Sequence, residues 1–324
     1  MAVYTEPTDE ELRHLLNGWG LTAPLAFKGI AEGVQNSNFL LETAEGRYIM
    51  TIYEKSVNVD DLPFYLGATE LAAASGLPAA RPVRTMSGET TQTIRGKTCA
   101  LCTFLSGVSP KRPSANQARA VGVALAKLHL ALANFPLTRA NDLGPKNWRE
   151  MWAGREDDGE ALETGTRQAI DGDLAAIALA WPKDLPKGTI HADLFPDNVL
   201  YIGDAVSGLI DFYFACTDFL AYDIAVMLNA WCFEPNGREF DLTKGRALLA
   251  GYQSVRVIEQ DELDALPLLA RGAALRFFLT RLVDWTANME GVLIRKKDPR
   301  DYTSRLAFHR SALSAADYGA IGWI

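Results

Sequence analysis

The stretch IHADLFPDNVL, residues 190–200, places a histidine, two acids and an asparagine between apolar flanks. Its polar side chains are His191, Asp193, Asp197 and Asn198. Proline, aspartate and asparagine favour turns, so the Pro-Asp-Asn run alone would fit a solvated loop between two strands. A loop that carries chemistry needs further groups at fixed spacing along the chain.

A further acid, Asp211, stands at the end of the next apolar run, GLIDF. A hairpin of that length returns the chain beside its start, so we expect Asp193, Asn198 and Asp211 to converge on one cleft. Phosphoryl transfer from ATP needs a carboxylate that orients the attacking hydroxyl and oxygen ligands that hold Mg²⁺ on the phosphates. The spacing matches the H-x-D-x-x-x-x-N loop and the following aspartate of protein-kinase catalytic sites.

The patterns around this stretch predict an α+β protein of two lobes. Residues 1–105 are typical of an antiparallel sheet with one inserted helix, and residues 106–324 are mainly helical. Ser114 and Gln117 form a capping-box signature that begins the helical half. The opening stretch lies in a small β insertion at 189–212. The predicted elements of the first lobe are a helix at 8–17, strands at 25–31, 36–44, 47–54, 90–94 and 97–105, and a helix at 61–75.

Composition narrows the class of protein. The 324 residues carry a net charge of −8 and the pI is near 5.2, which argues against nucleic acid or an anionic membrane as the main partner. No apolar run approaches the roughly 20 residues of a membrane helix. The acidic N-terminal stretch is unlike a signal peptide, so we expect a cytoplasmic protein.

Cys99 and Cys102 form a C-x-x-C, which raises the question of a metal or redox site. The flanking residues are typical of a strand, where these two positions face opposite sides. No second Cys or His pair is spaced to complete a zinc site. We therefore interpret both cysteines as small buried apolar residues.

Taken together, the motifs resemble the aminoglycoside phosphotransferase and choline kinase group of the protein-kinase-like superfamily. The resemblance rests on HADLFPDNVL, GLIDF, DFLAYDIAVML and the helix VGVALAKLHLAL, in order over about residues 30–230. Three stretches, GVQNSNFLLETAEGRYIMTIYEK, HADLFPDNVL and ALRFFLTRLVDW, are similar to the homoserine kinase branch. The resemblance implies a bilobal kinase fold and ATP- and Mg²⁺-dependent phosphorylation of L-homoserine to O-phospho-L-homoserine in threonine biosynthesis.

The resemblance also implies roles in the catalytic loop. Asp193 matches the base that accepts or orients the substrate hydroxyl. Asn198 and Asp211 match the Mg²⁺ ligands. His191 matches the histidine that holds the backbone of the loop, and Asp223 is expected to support the loop from a helix.

The resemblance places the nucleotide in the first lobe. The phosphates would lie under the first hairpin turn, whose residues tolerate unusual φ/ψ and offer N–H groups. Adenine would bind the backbone of the connector between the lobes. The residues expected to contact ATP are Gly33, Asn36, Ser37, Asn38, Glu70, Thr103, Phe104 and Leu105.

One position departs from the group. Its usual strand lysine would stand at Met50 or Thr51, and the lysines nearest along the chain are Lys28 and Lys55. Glu70 matches the ion-pair partner of that lysine. Mg²⁺ and the Asn-rich turn would then neutralise more of the phosphate charge.

The acceptor is a small molecule, and its site is expected on the helix that contains RFFLTRLVDW. Homoserine carries a carboxylate and an ammonium group, which call for a guanidinium and an acid. Arg281 and Asp284 are three positions apart on one helical face, so they would either bind substrate or form a surface ion pair. Choline, ethanolamine, methylthioribose and aminoglycosides are alternative acceptors, and a nucleotide-binding regulatory protein without catalysis is a further alternative.

Overall fold

The computed structural model describes residues 5–30, 36–54, 57–234, 237–287 and 296–320. The chain forms two compact units. The first unit comprises Met1–Gly107 and Ser207–Tyr213, and the second comprises Val108–Val206 and Phe214–Ile324. The sequence placed a single boundary after residue 105. The return of Ser207–Tyr213 to the first unit was not predicted, because it depends on distant backbone contacts such as the bond from Leu209 N–H to Pro78 O at 2.7 Å.

The first unit is an antiparallel sheet with a helix on one face. Thr8 caps the first helix with a capping box to Glu11. Among the described residues, five strands form the sheet in the order β1-β2-β3-β5-β4. The elements are α1 (Asp9–Gly18), β1 (Ala26–Ile30), β2 (Ser37–Thr43), β3 (Gly46–Ile52), α2 (Leu62–Ala74), β4 (Thr91–Ile94) and β5 (Lys97–Thr103).

The apolar core of this unit lies between α1 and the sheet. Side chains alternate between the two faces of a strand, so Met50 and Ile52 of β3 point into this core, each fully buried. Burial of one such side chain contributes about 1.5–3 kcal/mol. The core includes Leu12, Leu15, Leu16, Trp19, Phe39, Leu41, Met50, Ile52, Ile94, Cys99 and Leu101.

The C-x-x-C pair lies on β5, and both thiols are free. Burial raises the pKa of Cys99 and of Cys102 to about 12. A thiol must lose its proton to act as a metal ligand or nucleophile, so this environment does not suit either role.

The second unit is mainly helical. Its elements are α3 (Ala115–Ala131), α4 (Pro145–Trp152), α5 (Glu156–Leu162), α6 (Thr166–Ala180), β6 (Lys187–Ile190), β7 (Val199–Ile202), β8 (Ala205–Leu209), β9 (Cys216–Phe219), α7 (Leu220–Trp231), α8 (Leu242–Gln253), α9 (Gln260–Thr286) and α10 (Asp301–Ser311). Strand β8 carries the chain back to the first unit. Ser114 caps α3 and forms the predicted capping box with Gln117. No helix in the part of the chain that the structure describes is long and apolar enough to cross a membrane.

Strand β9 lies beyond the β insertion at 189–212 that the sequence predicts, in a half predicted to be mainly helical. It pairs antiparallel with β6, with Ile190 opposite Cys216 and Lys187 opposite Phe219. A strand is recognised in a sequence by alternating apolar and polar residues, and four residues are too few to show that alternation. Its pairing fixes the end of β6, from which the loop at 191–198 starts.

Two glycines bring α3 and α8 into backbone contact. A Cβ at Gly122 would lie 2.2 Å from the carbonyl oxygen of Leu248, and one at Gly251 would lie 2.1 Å from that of Arg119. Real Cβ atoms do not approach so closely, so both positions require glycine. The close crossing sets Tyr252, the neighbour of Gly251, against the core of the unit, where it is fully buried.

A buried histidine joins α7, α10 and the turn at residues 315–318. His309 Nδ1 lies 2.9 Å from the hydroxyl of Tyr318, and its Nε2 lies 3.0 Å from Asn229 Oδ1. Burial, with Arg305 as a secondary cause, lowers the pKa of His309 to about 3. The histidine of the unfolded chain becomes protonated as the pH falls through 6.5, whereas the imidazole of the folded protein stays neutral there.

This lowered pKa predicts a pH-dependent loss of stability. The unfolded histidine takes up a proton near its ordinary pKa of 6.5, whereas the folded one does not, so stability present above that pH is lost as the pH falls towards 3. The difference in unfolding free energy between the wild type and His309→Gln should shrink by about 1 kcal/mol between pH 6 and pH 5. Urea unfolding at pH 7, 6 and 5 measures it; a constant difference would contradict the assignment.

Candidate active site

The loop between β6 and β7 brings Asp193 and Asn198 together. It closes in a 3-10 turn at Pro196–Asn198, in which the Asn198 N–H donates to Phe195 O at 2.9 Å. The Asn198 side-chain amide donates to the backbone oxygen of Asp193 at 2.7 Å and to its Oδ2 at 3.1 Å. The two residues predicted as base and metal ligand are therefore hydrogen-bonded neighbours.

The orientation of the Asn198 amide leaves its oxygen available. Both hydrogen bonds of the side chain use Nδ2, and Oδ1 accepts no hydrogen bond from any residue that the structure describes. Amide and carboxylate oxygens are ligands that Mg²⁺ prefers. The described residues contain no group of three or more His, Cys, Asp or Glu side chains that would hold a metal by themselves. The donor set suits a cation held jointly by protein oxygens and substrate phosphates.

A buried carboxylate holds the start of the loop. Asp223 on α7 is fully buried and accepts the N–H groups of His191 at 2.7 Å and of Ala192 at 2.8 Å. His129 Nε2 lies 3.1 Å from the same carboxylate. Burial raises the pKa of Asp223, but the hydrogen bonds from His129 and His191 outweigh it, so the pKa is lowered. The anion is stable here because three donors replace water.

Ala192 is clamped from both sides in a strained conformation. Its φ is 60°, in the left-handed region that costs a non-glycine residue about 1–2 kcal/mol. Its N–H is held by Asp223. Its carbonyl oxygen accepts a hydrogen bond from Nη1 of Arg276 on α9, a side chain that is 1% exposed and lies 4.6 Å from the Phe277 ring centroid. This turn sets the direction in which Asp193 leaves the loop.

His191 supports the same turn. It is fully buried, and its Nδ1 lies 3.3 Å from the backbone N–H of Asp193, which donates to it. Trp231 donates its Nε1–H to Leu194 O at 2.7 Å on the other side of the aspartate. His191, Ala192 and Leu194, next to Asp193 in the chain, are thus each held by a bond to a buried side chain.

The second predicted metal ligand, Asp211, belongs to the first unit. Its φ is 64°, again left-handed. Complete burial is the main cause of the raised pKa of the Tyr213 hydroxyl, and the nearby Asp211 raises it further. The Tyr213 hydroxyl lies 3.2 Å from that of Tyr53. The convergence of Asp211 with Asp193 and Asn198 stays a prediction.

Side chains alternate between the two faces of β3, and this alternation shows whether Met50 or Thr51 stands where the group usually has a lysine. Met50 points into the core under α1, where no phosphate has access. Thr51 points to the opposite face, where its hydroxyl donates to Asn38 Oδ1 at 2.8 Å. The strand therefore presents a threonine where the group usually has a cation. Lys55 lies outside the described residues.

The turn residues of the first hairpin differ in their availability. Ser37 is fully buried, donates to Glu54 Oε1 at 2.8 Å and accepts from the N–H of Thr5 at 3.1 Å. Asn36 Oδ1 accepts the N–H of Glu54 at 3.2 Å. These bonds anchor the hairpin on Glu54. Gly33 lies outside the described residues.

Hydrogen bonds within the protein occupy some of the connector's backbone N–H groups, which are then closed to adenine. The Thr103 N–H donates to Arg81 O at 2.9 Å, and the Phe104 N–H donates to Arg47 O at 3.1 Å. The Leu105 N–H donates to no acceptor in the described ranges. Of the three predicted N–H groups, only that of Leu105 is open to a ligand in this part of the structure.

Glu70 and Arg281 both have ion-pair partners that the sequence did not predict. Glu70 forms a two-point pair with Arg84, at 2.8 and 2.6 Å. Arg281 bonds Asp301 at 2.7 Å and the backbone oxygen of Asp298 at 2.8 Å, so the predicted pairing with Asp284 is not formed. Asp301 is on α10, whose approach to α9 cannot be read from helical spacing. Asp284 lies exposed near the end of α9.

Comparison with known proteins shows the family of this chain. The model of the phosphotransferase enzyme family, APH, matches residues 26–258. The chain belongs to the phosphotransferase enzyme family. It is 51% identical over 319 residues to the homoserine kinase of Rhizobium meliloti (strain 1021), covering 98% of both chains. It is 51% identical over 328 residues to that of Hyphomonas neptunium, covering 99% of this phosphotransferase and 100% of the relative.

Solved structures show the same fold. Amicoumacin kinase hAmiN, in complex with AMP-PNP, Ca²⁺ and Ami, has a TM-score of 0.65 at 15% identity, covering 93% of this chain and 92% of that one. A Plasmodium vivax ethanolamine kinase has a TM-score of 0.63 at 14% identity, covering 98% and 94%. These likenesses confirm the predicted protein-kinase-like α+β fold.

Several positioning groups of this phosphotransferase were not recognised from its sequence. His129 stands in the helix VGVALAKLHLAL, whose sequence gives no sign of the bond to Asp223. Arg276 lies in RFFLTRLVDW, whose sequence gives no sign of the bond to Ala192 O. Each lies far along the chain from the loop it holds, so only the fold brings the contact about.

The two arginines of α9 give a matched test of the clamp. Arg276→Met leaves the Ala192 carbonyl without its charged donor, so unfolding free energy should fall by about 2–3 kcal/mol. Arg281→Met, on the same helix, removes a pair with a half-exposed aspartate and should cost less than about 1 kcal/mol. Urea unfolding compares them. Equal costs would show that the Arg276 contact adds nothing beyond a surface pair.

Proposed function

We propose that this phosphotransferase transfers the γ-phosphoryl group of ATP to the side-chain hydroxyl of L-homoserine, forming O-phospho-L-homoserine. The observation that carries the acceptor is the 51% identity to proteins named homoserine kinase over almost the whole length of both chains. The site supports the reaction class independently, because it holds a carboxylate at the end of a rigid, polar-clamped turn. We infer the cytoplasm as its location from sequence alone.

Asp193 is the proposed base. The acceptor hydroxyl donates a hydrogen bond to its carboxylate, which orients the oxygen towards phosphorus and takes the proton as the new bond forms. Little covalent work is asked of the protein in phosphoryl transfer, so positioning dominates. The clamp on Ala192 and the amide bond from Asn198 restrict Asp193 to one direction, which supports this role.

Asn198 Oδ1 and Asp211 are the proposed Mg²⁺ ligands. The cation supplies charge neutralisation on the phosphates when it is bound. Thr51 offers no positive charge at the usual lysine position, so this neutralisation matters more here. Backbone N–H groups near Gly33, Asn36 and Asn38 would assist, and Ser37 would contribute through its backbone, since its hydroxyl is engaged with Glu54.

The adenine ring is proposed to bind the connector, with the Leu105 N–H as its donor beside the peptide groups of Thr103 and Phe104. Glu70 contributes indirectly in this proposal, because Arg84 occupies both of its oxygens. Asp223 and His191 act through the backbone of the loop and touch no substrate.

The acceptor is proposed to bind at Arg281 and Asp284. Burial is the main cause of the raised pKa of Tyr302. Arg281 and Asp193 both lie close enough to affect that pKa, which Arg281 lowers and Asp193 raises. Arg281 donates both of its hydrogen bonds through Nη1, so its Nε and Nη2 make no hydrogen bond with the described residues. These two donors suit a carboxylate, and Asp284 would receive the ammonium group.

The alternative of a quaternary ammonium acceptor has less support. Such a ligand needs an open aromatic box. Two aromatic residues of α7, Trp231 and Tyr222, are 1% and 0% exposed, and the Trp231 indole donates to Leu194 O. They are core residues of the second unit.

The role of Asp193 is tested by Asp193→Asn. Turnover should fall by about 10²–10⁴-fold, because the amide cannot take the proton. Nucleotide affinity, measured by calorimetry, and the unfolding midpoint should stay close to the wild type. Asp197→Asn, in the same turn, is the matched control and should retain turnover. Near-normal turnover in Asp193→Asn would reject the role.

The acceptor site is tested by an ATP-consumption assay over L-homoserine, choline, ethanolamine, methylthioribose and an aminoglycoside, with L-homoserine the best acceptor. Arg281→Met should lower kcat/KM for L-homoserine by about 10- to 100-fold, since hydrogen bonds to charged groups contribute about 1.5–3 kcal/mol. For 3-aminopropan-1-ol, which is homoserine without its carboxylate, the same variant should leave kcat/KM unchanged. Equal losses on both acceptors would place the carboxylate elsewhere.

A further inference from the structure

A continuous path of hydrogen bonds, fully buried at His129 and partly buried at Arg256, extends from the clamp to the start of α9. His129 Nδ1 lies 2.7 Å from the hydroxyl of Tyr252 on α8. Arg256 Nη1 lies 3.2 Å from the same hydroxyl. The Arg256 guanidinium forms a two-point pair with Glu262 of α9, at 3.1 and 3.0 Å. Glu262, Tyr252, His129 and Asp223 are all at least 97% buried.

The chemistry of these groups gives the path one direction. A guanidinium can only donate hydrogen bonds, so Arg256 donates to the Tyr252 oxygen. The tyrosine then directs its own proton to His129 Nδ1, which accepts. A neutral imidazole that accepts at Nδ1 carries its proton on Nε2. His129 therefore donates to Asp223, whose carboxylate needs a donor at that position.

We propose that Tyr252 and Arg256 are positioning residues of the reaction, which fix His129 in its Nε2–H tautomer and so hold Asp223 against the N–H groups of His191 and Ala192. The inference rests on the proposed function in that the base it positions is Asp193. The residues act through the loop backbone and touch no substrate. Glu262 holds the Arg256 fork in place.

The loop would be disturbed if the donor-to-acceptor direction of these hydrogen bonds were lost. Without the tyrosine proton, the imidazole is free to adopt the Nδ1–H tautomer, which turns the lone pair of Nε2 towards the Asp223 carboxylate. Two acceptors then face each other in a site without water, where an unpaired polar group is costly. The carboxylate would shift away, and the strained φ of Ala192 would lose one of its two restraints.

The second unit contains a matched control. His309 and Tyr318 repeat the pair, with Nδ1 2.9 Å from the hydroxyl. The Nε2 of His309 faces the side-chain oxygen of Asn229 instead of a carboxylate that holds the loop. Tyr318→Phe thus removes a buried tyrosine hydroxyl from a histidine, as Tyr252→Phe does, without touching the path to Asp193.

The experiment compares Tyr252→Phe, Tyr318→Phe, Arg256→Lys and Arg256→Met in the full-length protein. The chain has four histidines, so ¹⁵N side-chain spectra resolve the tautomer of each. Tyr252→Phe should move His129 from the Nε2–H form to a mixture and lower kcat about tenfold, with KM for ATP within twofold. Tyr318→Phe should leave kcat and the His129 signal unchanged. Arg256→Lys should restore part of the kcat lost in Arg256→Met.

Two results would overturn the proposal: an Nδ1–H signal for His129 in the wild type, or a kcat for Tyr252→Phe no lower than that for Tyr318→Phe. A Tyr252→Phe loss that tracks only its unfolding midpoint would also overturn it, because simple destabilisation leaves kcat per folded molecule intact. The tautomer measurement uses no acceptor. If L-homoserine proves not to be the acceptor, the proposed substrate fails while the tautomer result, and kcat on whichever acceptor consumes ATP, still decide the positioning role.

Discussion

The catalytic loop depends on one buried carboxylate. Asp223 accepts two successive backbone N–H groups, and no other described side chain bonds both. In a strand, consecutive N–H groups point to opposite sides, so the chain must leave the strand geometry of β6 to direct both at one carboxylate, and Ala192 does so with a left-handed φ. The anion pays the cost of that strain and of its own burial only because His129 completes its shell of donors.

The loop is fixed by polar bonds at points where a core would ordinarily use apolar contact. As the proposed base, Asp193 has to reach substrate, so its own side chain cannot be packed. Its neighbours are held instead: Ala192 by Asp223 and Arg276, Leu194 by the Trp231 indole, and Asn198 by Asp193 itself. A hydrogen bond restricts direction as well as distance. This suits a group whose contribution to phosphoryl transfer is mainly its orientation.

Local sequence rules predicted the parts of this protein that depend on neighbours in the chain. The capping box at Ser114, the hairpin of β2 and β3, and the closeness of Asp193 and Asn198 follow from residues within a few positions of each other. Strand β9 was missed because four residues show no period. The choice between Met50 and Thr51 was left open because one residue of register in a strand exchanges its two faces.

The contacts that complete the site are those between distant segments, and sequence gave little hint of them. Asp223 and Arg276 lie roughly 30 to 85 positions beyond the loop, and their partners in it are backbone atoms, which carry no sequence signal. Arg281 shows the same limit from the other side: helical spacing suggested Asp284, but α10 supplies Asp301. The motif HADLFPDN indicated the reaction class because its own spacing carries the proposed base, Asp193, and one proposed metal ligand, Asn198.

Helix α9 connects the two tasks of the second unit. Arg276 holds the loop of the base, and Arg281, five positions later, faces α10 and is the proposed acceptor contact. Glu262, near the start of the same helix, anchors the path through Arg256 and Tyr252 to Asp223. A rigid helix that carries all three contacts keeps the acceptor site and the base in one frame. Substitutions near Arg281 that change which acceptor binds would therefore leave the loop geometry intact. The proposed acceptor site and the support of the loop use the same helix backbone but different side chains.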